Sequence, residues 1–540
     1  MSRRAWYGSW PVVVVSALAL PPLGLLLLWM RRGTGLGIKL AGSLAILILM
    51  VGYLGVASGY RLQVDGTGWR PRFAMRSREA HYTALERDRV RQRHRTATAT
   101  PRRAGREEIT PPRAALDASP AVATPGAPAP GTESAESEVP RSTTADPTPD
   151  AARAYWTDFR GPERDGRYDE ATVRTAWPSD GLPLLWRQPV GGGYASFVAA
   201  DGRLFTIEQR RHQEVLAGYD LETGQELWTD AWDSDFRESM GGDGPRATPT
   251  WDDGRLYGLG AMGELRCLDA ETGRLLWRRD ILAENGATNL TWAMGAAPLI
   301  VDDMVVVLPG GPNGRSVVAY DKLSGTPIWT VLDDQQAYTS PMLTTLAGQR
   351  QILVVSAHRA MGLGTEDGSL LWEYPWQTTY GANAAQPVLL GHDRVFLSAG
   401  YGHGAAVFEV SRSKDGSSAR TIWENIRMKN KFTSSILHEG YLYGLDEAIL
   451  ACVDAETGEL AWKGGRYGYG QVVLASGHLI VLTESGDVVL VKATPDGHEE
   501  LARFPAIDGK TWNHPIIAEG RLIVRNTTEM AAFDISLDAS

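Results

Sequence analysis

Glu238, Asp243 and Arg246 fall in "ESMGGDGPRATP", Asn289 and Trp292 in "ATNLTWAMGAAP", Tyr338 in "DDQQAYTSP", and Asn383 and Gln386 in "TTYGANAAQP". Lys429 and Lys431 follow in "RMKNKFTSS", Tyr467 in "GRYGYGQ", and Lys510, Trp512, Asn513 and His514 in "GKTWNHP". Donors, cations and flat aromatic faces are the mixture that a concave ligand pocket uses. The chemistry these residues offer is recognition: of a small ligand such as a quinone or a sugar, or of a protein partner. The same side chains could also simply fill and hydrate a polar channel. No phosphate loop of the G-x-x-x-x-G-K type and no His-Glu-x-x-His helix occurs, so no catalytic residue and no metal ligand is assigned. His403 in "GHGAA" and His358 in "HRAMG" stand alone on turns or strands and read as structural.

What places these segments side by side is a repeat. "DLETGQELW" (Asp220 to Trp228) returns as "DAETGRLLW" (Asp269 to Trp277), "DKLSGTPIW" (Asp321 to Trp329) and "DAETGELAW" (Asp454 to Trp462). The aromatics closing each unit are Trp186, Trp228, Trp277, Trp329, Trp372, Trp423, Trp462 and, more weakly, Phe504, spaced 42, 49, 52, 43, 51, 39 and 42 residues apart. That is the period of a propeller blade. Within each unit, turns such as "DDG", "GHD" and "AEG" separate short apolar strands, giving four antiparallel strands per unit. The Asp closes the last hairpin by accepting backbone amides, Gly224, Gly273, Gly325 and Gly458 supply positive φ, and the Trp offers an apolar plate for locking one blade on the next. Tryptophan recurs because every blade meets the same packing problem, and cofactor stacking is not its expected role.

The fold class expected is therefore all-β, an eight-bladed propeller of four-stranded antiparallel blades over residues 154–540. The strand around Trp186 lacks inner partners and "HPIIAEGRLIVRNTTEMAAFDI" lacks an outer one, so the two should pair and close the ring. Cys267 and Cys452 occupy equivalent positions in the second and sixth blades, on opposite sides of the ring. They should be separate buried thiols, since a disulfide needs Cα atoms within ~7 Å. The segments quoted first all enter an innermost strand and so converge on one mouth of the central channel.

Upstream, residues 1–60 are expected to form a transmembrane helical hairpin, kinked at Pro21-Pro22, with spans at 11–30 and 40–59, each twenty uncharged residues long, enough for a bilayer core of ~30 Å. A signal peptide is the alternative, but its apolar region would be too long and a second span follows. Residues 61–109 read as a basic, partly helical juxtamembrane segment. Within it, Ser77 to Arg95 is either a solvated helix or one that adheres to anionic headgroups. Residues 110–153, rich in Pro, Ala, Thr and Ser, read as a disordered tether. Such a tether would let the propeller search for partners near its membrane.

The charge is divided as sharply as the composition. Residues 1–109 hold 18 Lys+Arg against 6 Asp+Glu, and residues 154–540 hold 33 against 52, a net of -19. So acidic a surface disfavours nucleic acid as a partner. The expected partners are the lipid bilayer, through the hairpin, and an envelope protein. The cationic loop between the spans and the Arg-rich stretch after them give opposed signals about topology.

"YDLETGQELW", "CLDAETGRLLW" and "CVDAETGELAW", with "WTDFRGPERDGRYDE" at Trp156 to Glu170, resemble the pyrroloquinoline quinone-like β-propeller repeat family over about residues 155–535. The resemblance implies the fold, and it implies one of two functions: quinoprotein dehydrogenase, or non-enzymatic scaffold of the kind found in the periplasmic propeller lipoprotein of outer-membrane assembly. The dehydrogenases cover their quinone with a disulfide between adjacent cysteines and hold calcium with a Glu, Asn and Asp set. Neither can be matched here, so no catalytic position is carried over and pyrroloquinoline quinone with calcium is not established as a cofactor. No lipoprotein-type cysteine stands near the start. The expectation is a membrane-anchored, non-catalytic binding or scaffold module at the inner membrane with its propeller in the periplasm. A quinone-dependent dehydrogenase passing electrons to a membrane acceptor, and a receptor for polysaccharide or a small ligand, are the alternatives.

Overall fold

The computed structural model describes residues 10–19, 21–31, 34–57, 60–64, 71–75, 79–99, 156–414 and 416–537. The expected tether at 110–153 lies outside the described residues. Eight sheets form the propeller, with blades 1 to 7 at residues 198–233, 250–280, 299–331, 342–375, 388–425, 436–466 and 471–505. Blade 8 combines three strands within 516–534 with Leu184–Pro189. In that blade Trp186 pairs with Ala532 and Glu529 with Pro189, so the ring closes as the orphan strands required. An added antiparallel bridge between Val173 and Ser536 clasps the same ends.

The burial patterns explain why these sequences form strands in this order. The middle strands of blade 1, Arg203–Arg210 and Gln213–Asp220, are buried almost throughout because neighbouring blades cover both of their faces. The outermost strand, Glu226–Asp233, alternates because one side meets water. In the turn between them, Asp220 Oδ1 accepts from the Thr223 amide (2.8 Å) and hydroxyl (2.6 Å).

The tryptophans join blade to blade. Nε1 of Trp186 donates to Leu221 O, Trp228 to Ala270 O, Trp277 to Lys322 O and Trp423 to Ala455 O, at 3.0 to 3.1 Å in each case. Each acceptor is the residue just after the turn Asp of the following blade. Trp372 departs from this, donating to Gln351 Oε1 inside its own blade at 2.5 Å. The blade that follows it has a hairpin of two ten-residue strands and lacks the Asp-x-x-Thr-Gly turn. Cys267 and Cys452 are buried and unpaired, in blades 2 and 6.

A feature with no counterpart in the repeat fills the channel. Trp156 to Tyr168 threads among the innermost strands: Trp156 O accepts from Ala199 N and Thr157 O from Trp251 N. Arg167 and Tyr168 then pair in parallel with Leu474 and Ala475 of blade 7. Arg164 reaches the carbonyls of Pro298 and of Pro341 (2.7 Å) and is paired with Asp158 at 2.8 Å. Arg160 donates to Ser435 O (3.0 Å) and Asp165 O (2.7 Å), and burial lowers its pKa to about 10. Gly166, at φ +81°, passes so close that a Cβ would lie 2.5 Å from the Arg160 guanidinium. A segment without a blade of its own thus ties blades 1, 2, 3, 4, 6 and 7 across the axis.

In the N-terminal segment, residues 11–30 hold α1 (Trp10–Ala19) and α2 (Pro21–Met30), each ten residues long, with residue 20 between them outside the described residues. Pro21 and Pro22 lack the amide hydrogens that an unbroken ladder needs, and they start the second helix. The segment expected as the second span holds α3 (Leu36–Ala57), which begins before residue 40. Among the described residues no helix is long and apolar enough to cross a membrane. Leu28 packs with Val13, Ala17 and Ile46, and Trp29 Nε1 donates to Ser43 Oγ at 2.8 Å.

The charged helix is α4 (Glu79–Ala99), and it lies on the propeller, not free in solvent. Arg89 is 2% exposed, donates to Pro189 O (2.6 Å) and pairs with Glu226 (3.2 Å). His81 Nε2 meets Val190 O at 2.8 Å, and Gln92 bonds Gln188 (3.0 Å) and the Glu226 amide (3.1 Å). Glu79 and Glu86 both pair with Arg211.

Candidate functional site

Segments entering the innermost strands meet at one end of the channel, together with the turns between the second and third strands of each blade. A chain of cations and aromatic rings runs around this mouth. Lys431 Nζ lies 4.6 Å from the ring of Tyr401 and 4.8 Å from that of Tyr469. Phe432 packs on Trp512 at 4.6 Å, and Trp512 on Tyr194 at 5.3 Å. Lys510 Nζ sits 3.7 Å from the Trp512 ring and donates to Gly241 O at 3.2 Å, which ties the segment entering blade 8 to the one entering blade 2. Arg246 follows, between Tyr194 (5.5 Å) and Phe236 (4.9 Å), and burial lowers its pKa. Trp292 and Tyr338 continue the arc at 5.8 Å. Burial pushes the Tyr338 hydroxyl up to about 12, so it stays neutral at any physiological pH.

The acids here are engaged one by one. Glu238 accepts from the amides of Met240 (2.9 Å) and Gly241, and its own amide donates to Asp243 (3.2 Å). Glu484 accepts from Trp512 Nε1 (2.9 Å) and Glu447 from the Tyr469 hydroxyl (3.0 Å). Each carboxylate is turned toward a local donor and none converges with another. Among the described residues no group of three or more His, Cys, Asp or Glu could hold a metal ion. The cysteines lie in blades 2 and 6, so no disulfide spans the mouth. These residues do not fit the calcium and quinone pair, and no chemical step is derived through it.

The expected site residues divide into two sets. Glu238, Asp243, Arg246, Trp292, Tyr338, Lys431, Lys510 and Trp512 belong to the mouth. Asn289, Asn383, Gln386, Asn513 and His514 instead act as staples beneath it. Asn289 donates to Ala261 O (2.9 Å) and Asn383 to Ser356 O (2.8 Å). Gln386 both accepts from and donates to the Ser340 backbone, at 2.8 and 3.0 Å, joining blades 4 and 5. Asn513 donates to Ala195 O at 2.8 Å. His514 is buried between Val472 O, at 3.1 Å, and the rings of Trp156 and Phe159, and burial drops its pKa to about 3. It is a neutral packing group. Lys429 pairs with Asp446 at 2.6 Å. Tyr467 leaves the mouth altogether, bonding His498 (2.7 Å) and Glu500 (2.9 Å) between blades 6 and 7.

Sequence reasoning missed Tyr194, Tyr401, Phe432, Tyr469, Glu447 and Glu484. Tyr194 precedes the first innermost strand just as the chosen residues precede the others. Tyr401, Glu447 and Glu484 sit in the turns joining second to third strands, which an up-and-down blade brings to the same end as its entering segment.

The fold is an eight-bladed propeller, and its repeats are similar to those of the pyrroloquinoline quinone-like family. A family model described as outer membrane protein assembly factor BamB matches residues 211–464. BamB of Burkholderia pseudomallei (strain K96243) is 22% identical over 318 residues, covering 56% of this chain and 75% of that protein. Among solved structures, quinohemoprotein alcohol dehydrogenase ADHIIG from Pseudomonas putida HK5 superposes with a TM-score of 0.51 at 12% identity, over 72% of this chain and 81% of that one. BamB from Moraxella catarrhalis gives 0.49 at 16% identity, over 66% and 100%. The dehydrogenase likeness shows the fold alone.

Proposed function

We propose that this protein is a non-catalytic binding or scaffold module of the cell envelope, held at the inner membrane with its propeller in the periplasm and an envelope protein as its partner. The observation that carries the reading is the mouth itself. Its carboxylates are committed singly to amides, an indole and a phenol, leaving a surface of aromatic faces and cations suited to docking. The similarity to outer membrane protein assembly factor BamB supports the same class of work. Membrane attachment is supported by α3, whose Leu40, Leu44, Leu47, Ile48 and Val51 face outward.

The test is photo-crosslinking in cells from Met240 and Tyr380, both exposed beside the mouth. Adducts to an envelope protein that are lost on Trp512→Ala or Lys431→Ala, with the melting temperature kept, are expected. Turnover of an alcohol or sugar by the purified chain with pyrroloquinoline quinone and calcium would replace this reading with an enzymatic one.

A further inference from the structure

The placement of α4 carries an orientation. Arg211 lies in the turn between the second and third strands of blade 1 (Arg203–Arg210 and Gln213–Asp220), at the mouth end of the propeller, and it pairs with Glu79 and Glu86. Further along, Gln92 bonds Gln188 and the amide of Glu226. Glu226 follows the Asp-x-x-Thr-Gly turn, at the end away from the mouth. The helix therefore runs down the flank of the seam between blades 8 and 1, starting on the mouth side. Among the described residues, the short hairpin of Tyr60–Val64 and Pro71–Met75 lies between α3 and α4, so the apolar helices are joined to the propeller on that side.

The docking is built into the propeller's charge. Arg89 lies over the Tyr219 ring (5.2 Å) and pairs with Glu226, which also pairs with Arg210 at 2.6 Å. Burial alone would raise the pKa of Glu208 in the same cluster. Arg210, Arg525 and Arg89 together bring it down to about 2. A buried ion pair that loses one partner leaves an uncompensated charge, so this seat is specific for a cation-bearing helix. The mouth face, for its part, exposes Met240, Met262, Tyr380, Tyr401 and Ile426, with Lys429 and Lys510 half-buried beside them. Aromatic rings and cations beside apolar side chains suit the interface of a bilayer.

We propose that α4 is an orienting strap that holds the mouth face of the propeller toward the bilayer, so that the mouth meets its envelope partner at the membrane surface. The proposal rests on the reading of α1 to α3 as a membrane anchor. With α4 docked, residues 110–153 connect two parts of one body, and the short hairpin, not that long segment, sets the propeller's distance from the membrane.

The experiment uses the full chain in phosphatidylethanolamine and phosphatidylglycerol vesicles that carry a lipid-attached quencher. A fluorophore is placed by Met262→Cys on the mouth face or by Ile328→Cys on the opposite one. Quenching several-fold stronger at 262 is expected, and Arg89→Glu or Arg211→Glu should abolish the difference while the propeller still melts cooperatively. Equal quenching at the two positions, or a mouth preference that survives both substitutions, overturns the strap. Failure of the chain to float with vesicles overturns the anchor reading instead. In that event, failure to form a disulfide between Gln92→Cys and Gln188→Cys overturns the docked helix as well, and its formation upholds the docking alone.

Discussion

Trp228 of blade 1 lies against Gly273 of blade 2, and its indole N–H donates to Ala270 O at 3.1 Å. The glycine of the repeated turn thus has two duties: positive φ and room for the neighbouring blade's indole. The same pairing joins Trp186 to Gly224 and Trp277 to Gly325, where a Cβ would fall 2.6 and 2.7 Å from ring atoms.

Gly273 and Gly254 share φ +72°, but a Cβ on Gly254 would meet nothing within 4 Å. Gly254→Ala therefore measures backbone strain, about 1 kcal/mol, whereas Gly273→Ala adds the lost seat of Trp228 and should cost about 2 kcal/mol more. Equal denaturation midpoints for the two variants would remove the inter-blade role of the glycine.

Arg164 is buried with Asp158 as its partner and carbonyls of blades 3 and 4 as acceptors. Arg164→Ala should destabilise the propeller by about 3 to 5 kcal/mol, the cost of stranding a buried charge. Thermal melting at neutral pH checks this, and a loss under about 1 kcal/mol would mean that the channel segment does not brace the ring.

Glu214, buried in blade 1, is pushed up to about 7 by burial, against 4.5 ordinarily. The native state holds this proton after the unfolded chain has released it. The contribution to stability is therefore full below about pH 4.5, declines as pH rises, and is lost above about pH 7. Glu214→Gln should flatten the melting temperature across that window and leave the variant relatively more stable at pH 8 than at pH 5. An unchanged slope would show that Glu214 does not govern it.

Burial raises the thiols of Cys267 and Cys452 to about 11. Both should resist alkylation in the folded chain and react together on unfolding, in one transition. Labelling followed by intact mass gives the answer, and early reaction of one thiol would mark its blade as opening locally.

The blades were legible because each position is sampled many times along the chain, so a turn Asp, a Gly and a Trp reinforce one another. Ring closure was legible as well, from strands left over at both ends. The channel segment occurs once, and nothing in "WTDFRGPERDGRYDE" says that Arg160 and Arg164 will find carbonyls hundreds of residues away. The charges of α4 suggested a solvated face because the partner of Arg89, Glu226, belongs to a distant repeat. At the mouth, residue types identified the cations and rings but could not separate Trp512, which faces its neighbours across the opening, from Asn513 and His514, which turn inward. Adjacent residues on an irregular segment follow no fixed period, and only the fold decides where each one points.

Pairing Trp186 with Ala532 makes closure a late event in the life of each molecule. Blades 1 to 7 can be hydrogen-bonded while Leu184–Pro189 still waits for a partner near the far end of the chain. Until that partner leaves the ribosome, the waiting strand has no sheet to join and its backbone groups stay unpaired. Contacts of such sequence separation are slow to form, so the interval before closure is when this protein is most exposed to proteases and to swapping its first strand with a sister chain.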